Sequence, residues 1–329
     1  MRAGERTLDN QKKNSEDSAV TGWLRRLPLL RAYPALQDVR RELGEARQKI
    51  KALSSDLKRA NALAAQRELA LRSVGAGELQ ILAEPAFDHH QLAQIARDRS
   101  SMYRSAEPFP HLIEDGLFNL AILDRVAGEF EAMDRGGWHH SQATHERKWS
   151  TEDPRQMGPF TSALIAQLNA GPFVSFLEEL TGIGGLVPDP HLRGGGLHEI
   201  RHGGLLGVHA DFNVHPRLRL YRRLNLLVYL NKDWQQEWGG ALELWDRGGQ
   251  RCVRTIQPVF NRAVLFDTSN FSYHGHPHPL ACPPERSRKS VALYYYALES
   301  PGESDRDAHG TIFLDTNPAA VSTVASDRQ

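Results

Sequence analysis

Between Leu197 and Leu298 the chain breaks into eight short apolar or alternating segments, around "LHEI", "LLGVH", "LNLLVYL", "ALELW", "CVRTIQP", "AVLFD", "SYHGH" and "SVALYYYAL", separated by Gly, Pro, Asn and Asp. Side chains alternate between the two faces of a strand, so segments this short must bury their apolar faces against one another. Eight strands at this spacing suit a double-sheet jelly roll. Ahead of them, "HHQLAQIARDRSSM" and "FPHLIEDGLF" carry helical and strand signals, and "NLAILDRVAGEFEAM" and "FTSALIAQLNAGPFVSFLEELTG" repeat apolar residues at helical intervals. The expected fold class is α+β: a double-stranded β-helix (jelly-roll) core with flanking helices, preceded by an N-terminal coiled-coil helix.

The coiled coil is read from Leu36, Val39, Leu43, Ala46, Ile50, Leu53, Leu57, Ala60 and Ala64, which recur at alternating spacings of three and four among charged residues. Such a seam implies self-association as a homo-oligomer; its alternative is a single amphipathic helix docked on the domain that follows. The organisation expected is a disordered, basic segment over 1–33, the coiled-coil helix over 34–74, the main folded domain over 79–299 and a polar tail over 300–329, with "GTIFLDT" as the tail's apolar patch. Gly75 and Gly77 in "SVGAGELQ" mark the linker.

Composition narrows the function. Forty basic and forty acidic side chains cancel, so no overall field draws the chain to nucleic acid, and no nucleic-acid partner is expected. The two cysteines, Cys252 and Cys282, fit no zinc-knuckle or disulfide-scaffold spacing. The N-terminal residues lack the apolar core of a signal peptide, and no apolar run is long enough for a transmembrane segment. The expected location is the cytoplasm.

His209 and Asp211 flank one residue in "GGLLGVHADFN", and His274 lies sixty-three residues beyond Asp211. Two imidazoles and a carboxylate can hold a metal ion from one side and leave the rest of its coordination sphere open. A His-x-Asp triplet arises about once by chance in a chain of this composition, so its surroundings must carry the assignment. His209 ends an apolar segment and Asp211 follows at the same strand parity, so both can point to one side. His276 and His278 rival His274, and such a donor set would also take zinc, manganese or cobalt.

Alternation in "RRLNLLVYLNKDW" places Asn225, Leu227 and Tyr229 on one face and Leu226, Val228 and Leu230 on the other. Tyr229 thus offers a hydroxyl inside an apolar pocket, where it needs a partner such as a carboxylate. Arg288 opens the last strand, and a guanidinium there can pair with a carboxylate through two hydrogen bonds.

The order of "GGLLGVHADF", "RRLNLLVYLNKDW", "GGALELW", and "YHGHP" ahead of "RKSVALYYY" resembles the prolyl 4-hydroxylase-like branch of the 2-oxoglutarate and iron(II)-dependent dioxygenases, over roughly Pro108 to Leu298. The resemblance implies that His209, Asp211 and His274 are catalytic iron ligands. It also implies that Arg288 and Tyr229, assisted by Ser290, bind the distal carboxylate of 2-oxoglutarate. It further implies Fe(2+), 2-oxoglutarate as cosubstrate, O2 and ascorbate as reductant, and a peptidyl-prolyl or small-molecule substrate hydroxylated with release of succinate and CO2. One departure stands out: the family places its basic residue about ten positions after the distal histidine, whereas Arg288 follows His274 by fourteen. Arg286 and Lys289 are the alternatives. Two other readings compete: a cupin-type metalloenzyme not using 2-oxoglutarate, and a non-catalytic coiled-coil interaction protein. Replacing Asp211 with Ala is expected to abolish turnover without unfolding the domain, because an open metal site is seldom the main source of stability.

Overall fold

The computed structural model describes Val39, residues 41–51, Ser54, residues 75–302 and residues 305–315. The chain divides into two compact units, residues 1–66 and 67–329. In the first unit the described residues are helical and exposed; Val39, Leu43 and Ile50 of the expected seam are 59%, 50% and 65% exposed. These three residues make no buried seam, so the coiled-coil expectation gains no support from them. The rest of the expected coiled coil over 34–74, and the expected disordered segment over 1–33, lie outside the described residues.

The second unit begins with helices α1 (Ala76–Leu82) and α2 (His89–Arg104), followed by strand β1 (His111–Asp115) and helix α3 (Leu120–Ala132). Side-chain caps start two of the helices: Asp88 accepts hydrogen bonds from the His90 and Gln91 amides, and Asn119 from that of Ala121. Strands β2 (His139–Ala143) and β3 (Glu146–Thr151) form a hairpin ahead of helices α4 (Pro159–Leu168) and α5 (Gly171–Thr181). The sequence pattern suggests one helix across α4 and α5, but Pro172 would clash with the carbonyl four residues back in a continuous helix, and the chain breaks at Asn169 and Ala170. Among the described residues no single helix is long and apolar enough to cross a membrane.

The remaining strands are β4 (Val187–Pro188), β5 (Gly196–Arg201), β6 (Leu205–Ala210), β7 (Tyr221–Tyr229), β8 (Leu242–Trp245), β9 (Cys252–Ile256), β10 (Arg262–Asp267), β11 (His274–His276), β12 (Ser287–Ala297) and β13 (Ile312–Phe313). Each of the eight expected segments corresponds to one strand from β5 to β12. Together the strands form one curled antiparallel sheet in the order β1-β10-β7-β12-β5-β3-β6-β11-β8-β9. Its halves are β10-β7-β12-β5 and β6-β11-β8-β9, joined through β3, an arrangement consistent with a jelly roll.

The outer face of the first half carries Leu224, Leu226, Val228, Val291, Leu293 and Tyr295, which pack in one core with residues of α2 to α5 such as Leu123, Phe130, Leu164, Phe173 and Leu177. The inner face carries Leu227, Tyr229, Ala292, Tyr294 and Tyr296, which pack against Leu242, Leu244, Val264 and Phe266 from other strands. With both faces covered, every residue of β12 is buried. The alternation expected for residues 225–230 holds.

Most described residues of the tail after Asp305 are exposed, and its apolar patch joins the sheet. Ile312 and Phe313 pair with Ala210 and His209 of β6, so "GTIFLDT" completes the sheet edge beside the candidate site. A sheet edge left open exposes unpaired backbone groups, and this apolar patch satisfies them.

Candidate metal and cosubstrate site

β6 and β11 are adjacent and antiparallel, with His209 directly opposite His274. Asp211 follows the end of β6 and turns into the same space: its Oδ1 is 3.6 Å from His209 Nε2 and its Oδ2 is 3.5 Å from His274 Nε2. One ligand atom from each of the three lies within 4.8 Å of the other two, and among the described residues this is the group of His, Cys, Asp or Glu donors so gathered.

The local backbone prepares each donor. His209 Nδ1 is 2.8 Å from the Gly207 carbonyl and His274 Nδ1 is 2.9 Å from that of Ser272. A carbonyl can only accept, so both Nδ1 atoms carry the proton and both Nε2 lone pairs face the centre. Burial, reinforced by His209 nearby, lowers the pKa of His274 to about 4, which keeps its ring neutral. Burial opposes ionisation of Asp211, but the Arg222 guanidinium, with His274 and His209, outweighs it and holds this carboxyl well below the usual range. The neutral His274 imidazole and the Asp211 carboxylate stand beside His209, and the donor set fits a divalent metal with open positions.

The approach of the two strands depends on a residue without a side chain. A Cβ on Gly275, between His274 and His276, would sit 2.6 Å from the Gly207 carbonyl oxygen and 2.8 Å from that of Leu206.

Arg222 was not singled out from the sequence. Its Nη2 lies 2.8 Å from Asp211 Oδ2, its guanidinium sits 3.4 Å from the centroid of the Tyr294 ring, and the residue is 1% exposed. Strict alternation would turn it away from Asn225. The register of β7 against β12 runs Asn225 to Tyr294 and Leu224 to Tyr295, but then Arg222 to Tyr296, so Arg223 is an extra residue and Arg222 rejoins the inner face. Asn225 Nδ2 also donates to Asp211 Oδ2, at 3.3 Å.

The three donors open into a cavity of about 880 Å³ whose far wall carries Arg288 and Ser290. Arg288 Nε donates to the Gly240 carbonyl at 2.7 Å, and its Nη2 donates to the Tyr229 hydroxyl at 3.0 Å. Gly240 adopts a φ of +74°, a conformation glycine takes without strain, and this turn aims its carbonyl at the guanidinium. The other two candidate anchors point elsewhere. Lys289 is on the opposite face of β12, with its Nζ 2.8 Å from Glu131, and Arg286 lies over the Trp238 ring. The lengthened loop before Arg288 packs on the turn between β5 and β6: Leu280 exchanges backbone hydrogen bonds with Gly203 and Gly204, and Cys282 packs with Ile200. Its extra residues are absorbed there, and Arg288 keeps its place in the cavity.

His139, His198 and His276 also line the cavity. His198 is paired across the sheet with Ser290, has Nε2 within 3.1 Å of the Gly194 carbonyl, and has its pKa lowered to about 3, first by burial and then by Lys148. His276 stands one inward-facing position beyond His274, is 2% exposed, and forms no full hydrogen bond beyond a weak contact with the His278 backbone. His278 does not line the cavity.

Residues 195–296 match the family model described as the 2OG-Fe(II) oxygenase superfamily. The matched segment runs from the start of β5 nearly to the end of β12 and includes His209, Asp211, His274, Tyr229, Arg288 and Ser290. Prolyl 3-hydroxylase OGFOD1 of Mus musculus is 30% identical over 79 residues, 23% of this chain and 14% of that protein, so the chain matches about a seventh of that relative's length. Among solved structures, a Trichoplax adhaerens prolyl hydroxylase in complex with a hypoxia inducible factor peptide is 17% identical, with 68% of this chain and 97% of that one covered and a TM-score of 0.47. A Pseudomonas putida prolyl-4-hydroxylase is 18% identical, with 63% and 98% covered and a TM-score of 0.43. HygX of Streptomyces hygroscopicus, solved with nickel, 2-oxoglutarate and hygromycin B, is 14% identical, with 67% and 97% covered and a TM-score of 0.41.

Proposed function

We propose that this chain is a 2-oxoglutarate- and iron(II)-dependent dioxygenase that hydroxylates a C–H bond of a peptidyl-prolyl or small-molecule substrate. The observation that carries the reading is that two features share one cavity: the converged donors of His209, Asp211 and His274, and an Arg288 guanidinium oriented by Tyr229 and Gly240. A cupin-type metal site would need the first and give no reason for the second. The superfamily match supports the same reading, and so does the double-stranded β-helix order of the strands.

His209, Asp211 and His274 would hold iron(II), with Arg222 keeping the carboxylate ionised. Arg288 and Tyr229, with Ser290 alongside, would bind the distal carboxylate of 2-oxoglutarate and fix its orientation toward the metal ligands. The chemistry these groups supply when bound is oxidative decarboxylation, in which O2 and 2-oxoglutarate give succinate and CO2 and one oxygen atom enters the substrate, with ascorbate as a maintaining reductant. Ile200, Leu206, Leu227 and Leu242 add apolar surface to the lining of this cavity. Both cysteines are free and buried, which suits a reducing compartment such as the cytoplasm. The exposed Val39, Leu43 and Ile50 would suit a second copy of the chain on the helical segment.

The test is succinate release by anaerobically purified protein given iron(II), 2-oxoglutarate and air, followed by a screen of prolyl peptides and metabolites for stimulation. Succinate at the level of a protein-free control, with iron bound, would remove the oxygenase reading.

A further inference from the structure

His276 has no role in the scheme above. Its ring is 2% exposed, neither ring nitrogen forms a full hydrogen bond within the protein beyond a weak contact with the His278 backbone, and it lines the cavity together with Arg288 and Ser290. Leaving a buried polar atom unpaired costs on the order of 1–3 kcal/mol, so this imidazole calls for a partner inside the cavity. The register sets its position. Two residues along a strand carry a side chain about 6.6 Å further on the same face, so His276 stands one row beyond the metal ligand His274. The bulge in β6 brings Leu206, not Gly207, opposite it, which gives the ring an apolar neighbour on that strand and leaves it no acceptor there.

Arg288 and its partner Tyr229 have donors to offer a ligand. Arg288 spends Nε on the Gly240 carbonyl and one Nη2 hydrogen on Tyr229, and its other hydrogens are free for a ligand. Tyr229 accepts from Arg288 and so keeps its own proton to donate. A neutral imidazole adds one more N–H to this set. His276 and Arg288 line one cavity and Tyr229 is bonded to Arg288, a set of donors that fits a carboxylate, which offers four lone-pair sites and no hydrogen.

Resting on the cosubstrate reading above, we propose that His276 is a third hydrogen-bond donor to the distal carboxylate of 2-oxoglutarate and tightens selection for a keto acid bearing it.

The experiment titrates manganese-loaded full-length protein calorimetrically with 2-oxoglutarate and with 2-oxovalerate, which carries a methyl group in place of the distal carboxylate. His276→Leu is expected to weaken 2-oxoglutarate by roughly ten- to a hundred-fold, the effect of a lost hydrogen bond to a charged group. It should leave 2-oxovalerate unchanged, and His276→Gln, which retains a donor, should restore most of the affinity. His276→Met serves for the same comparison if the Leu variant does not fold. Undiminished 2-oxoglutarate affinity, or an equal loss for both keto acids, overturns the assignment of His276 alone. A wild-type protein that binds the two keto acids equally overturns the cosubstrate reading, and this assignment with it.

Discussion

Arg222 Nη2 and Asp211 Oδ2 lie 2.8 Å apart, and the arginine is almost wholly buried. The carboxylate proposed to bind metal is therefore also the counter-ion of a buried cation. Asp211→Ala, expected to abolish turnover without unfolding the domain, is therefore also expected to lower its stability, because removing one member of a buried pair strands the other charge. In metal-free protein Asp211→Ala is expected to cost about 3–5 kcal/mol. Urea unfolding checks this, and adding Arg222→Met should recover most of the loss. A single variant as stable as the parent would refute the coupling.

Arg288 and Tyr229 should separate cosubstrate binding from metal binding. Arg288→Ala is expected to lower 2-oxoglutarate affinity by about a hundred-fold or more while manganese affinity stays within two-fold or so, since the guanidinium reaches none of the three metal donors. Tyr229→Phe removes one neutral hydroxyl and should cost only about five- to ten-fold. Titration of each variant with metal and then with 2-oxoglutarate decides it.

Stability should depend on pH through Asp267. Burial raises its carboxyl from an ordinary 3.8 to about 6, while the Tyr103 hydroxyl donates to it and Arg223 pulls the other way. The folded protein therefore holds this proton at pH values where the unfolded chain has released it. The contribution is fully present below about pH 4 and is lost as pH rises through about 6. Asp267→Asn keeps the acceptor for Tyr103 and cannot ionise, so its unfolding free energy should fall less than that of the parent between pH 4.5 and 7. Parallel slopes from urea titrations across that range would reject the assignment.

Gly275→Ala tests how closely the strands must approach. The added methyl would meet two backbone carbonyls that cannot rotate away. Separation of β11 from β6 should reduce manganese affinity by about ten-fold or more and lower the unfolding midpoint. Retained metal affinity would show that the strands can part without moving His274 from His209.

Truncation before Gly75 should yield a smaller species in sedimentation if the helical segment pairs with a second copy. An unchanged association state would assign Val39, Leu43 and Ile50 to some other contact.

What could be read in the sequence followed from strict alternation. The eight strands, the inward face of Asn225, Leu227 and Tyr229, and the approach of "HAD" to "YHGH" all depend on period two. Arg222 escaped because the extra residue at Arg223 reverses parity, and a bulge leaves no compositional mark. His276 was visible only as a competitor of His274 for the metal, since a shared face does not say which position along a strand meets the ion. β13 was missed because two residues are too few to show alternation.

That short strand ties the candidate centre to a segment about a hundred residues downstream. Asn213 donates to the Asp305 and Asp307 carbonyls and accepts from the His309 amide, while the Phe313 ring lies 5.3 Å from that of His209. A protease cut between Ala297 and Ile312 would release this strap and bare the strand that bears His209. Processing of an outlying stretch would then be felt as altered reactivity at the metal, without any change to the residues that hold it.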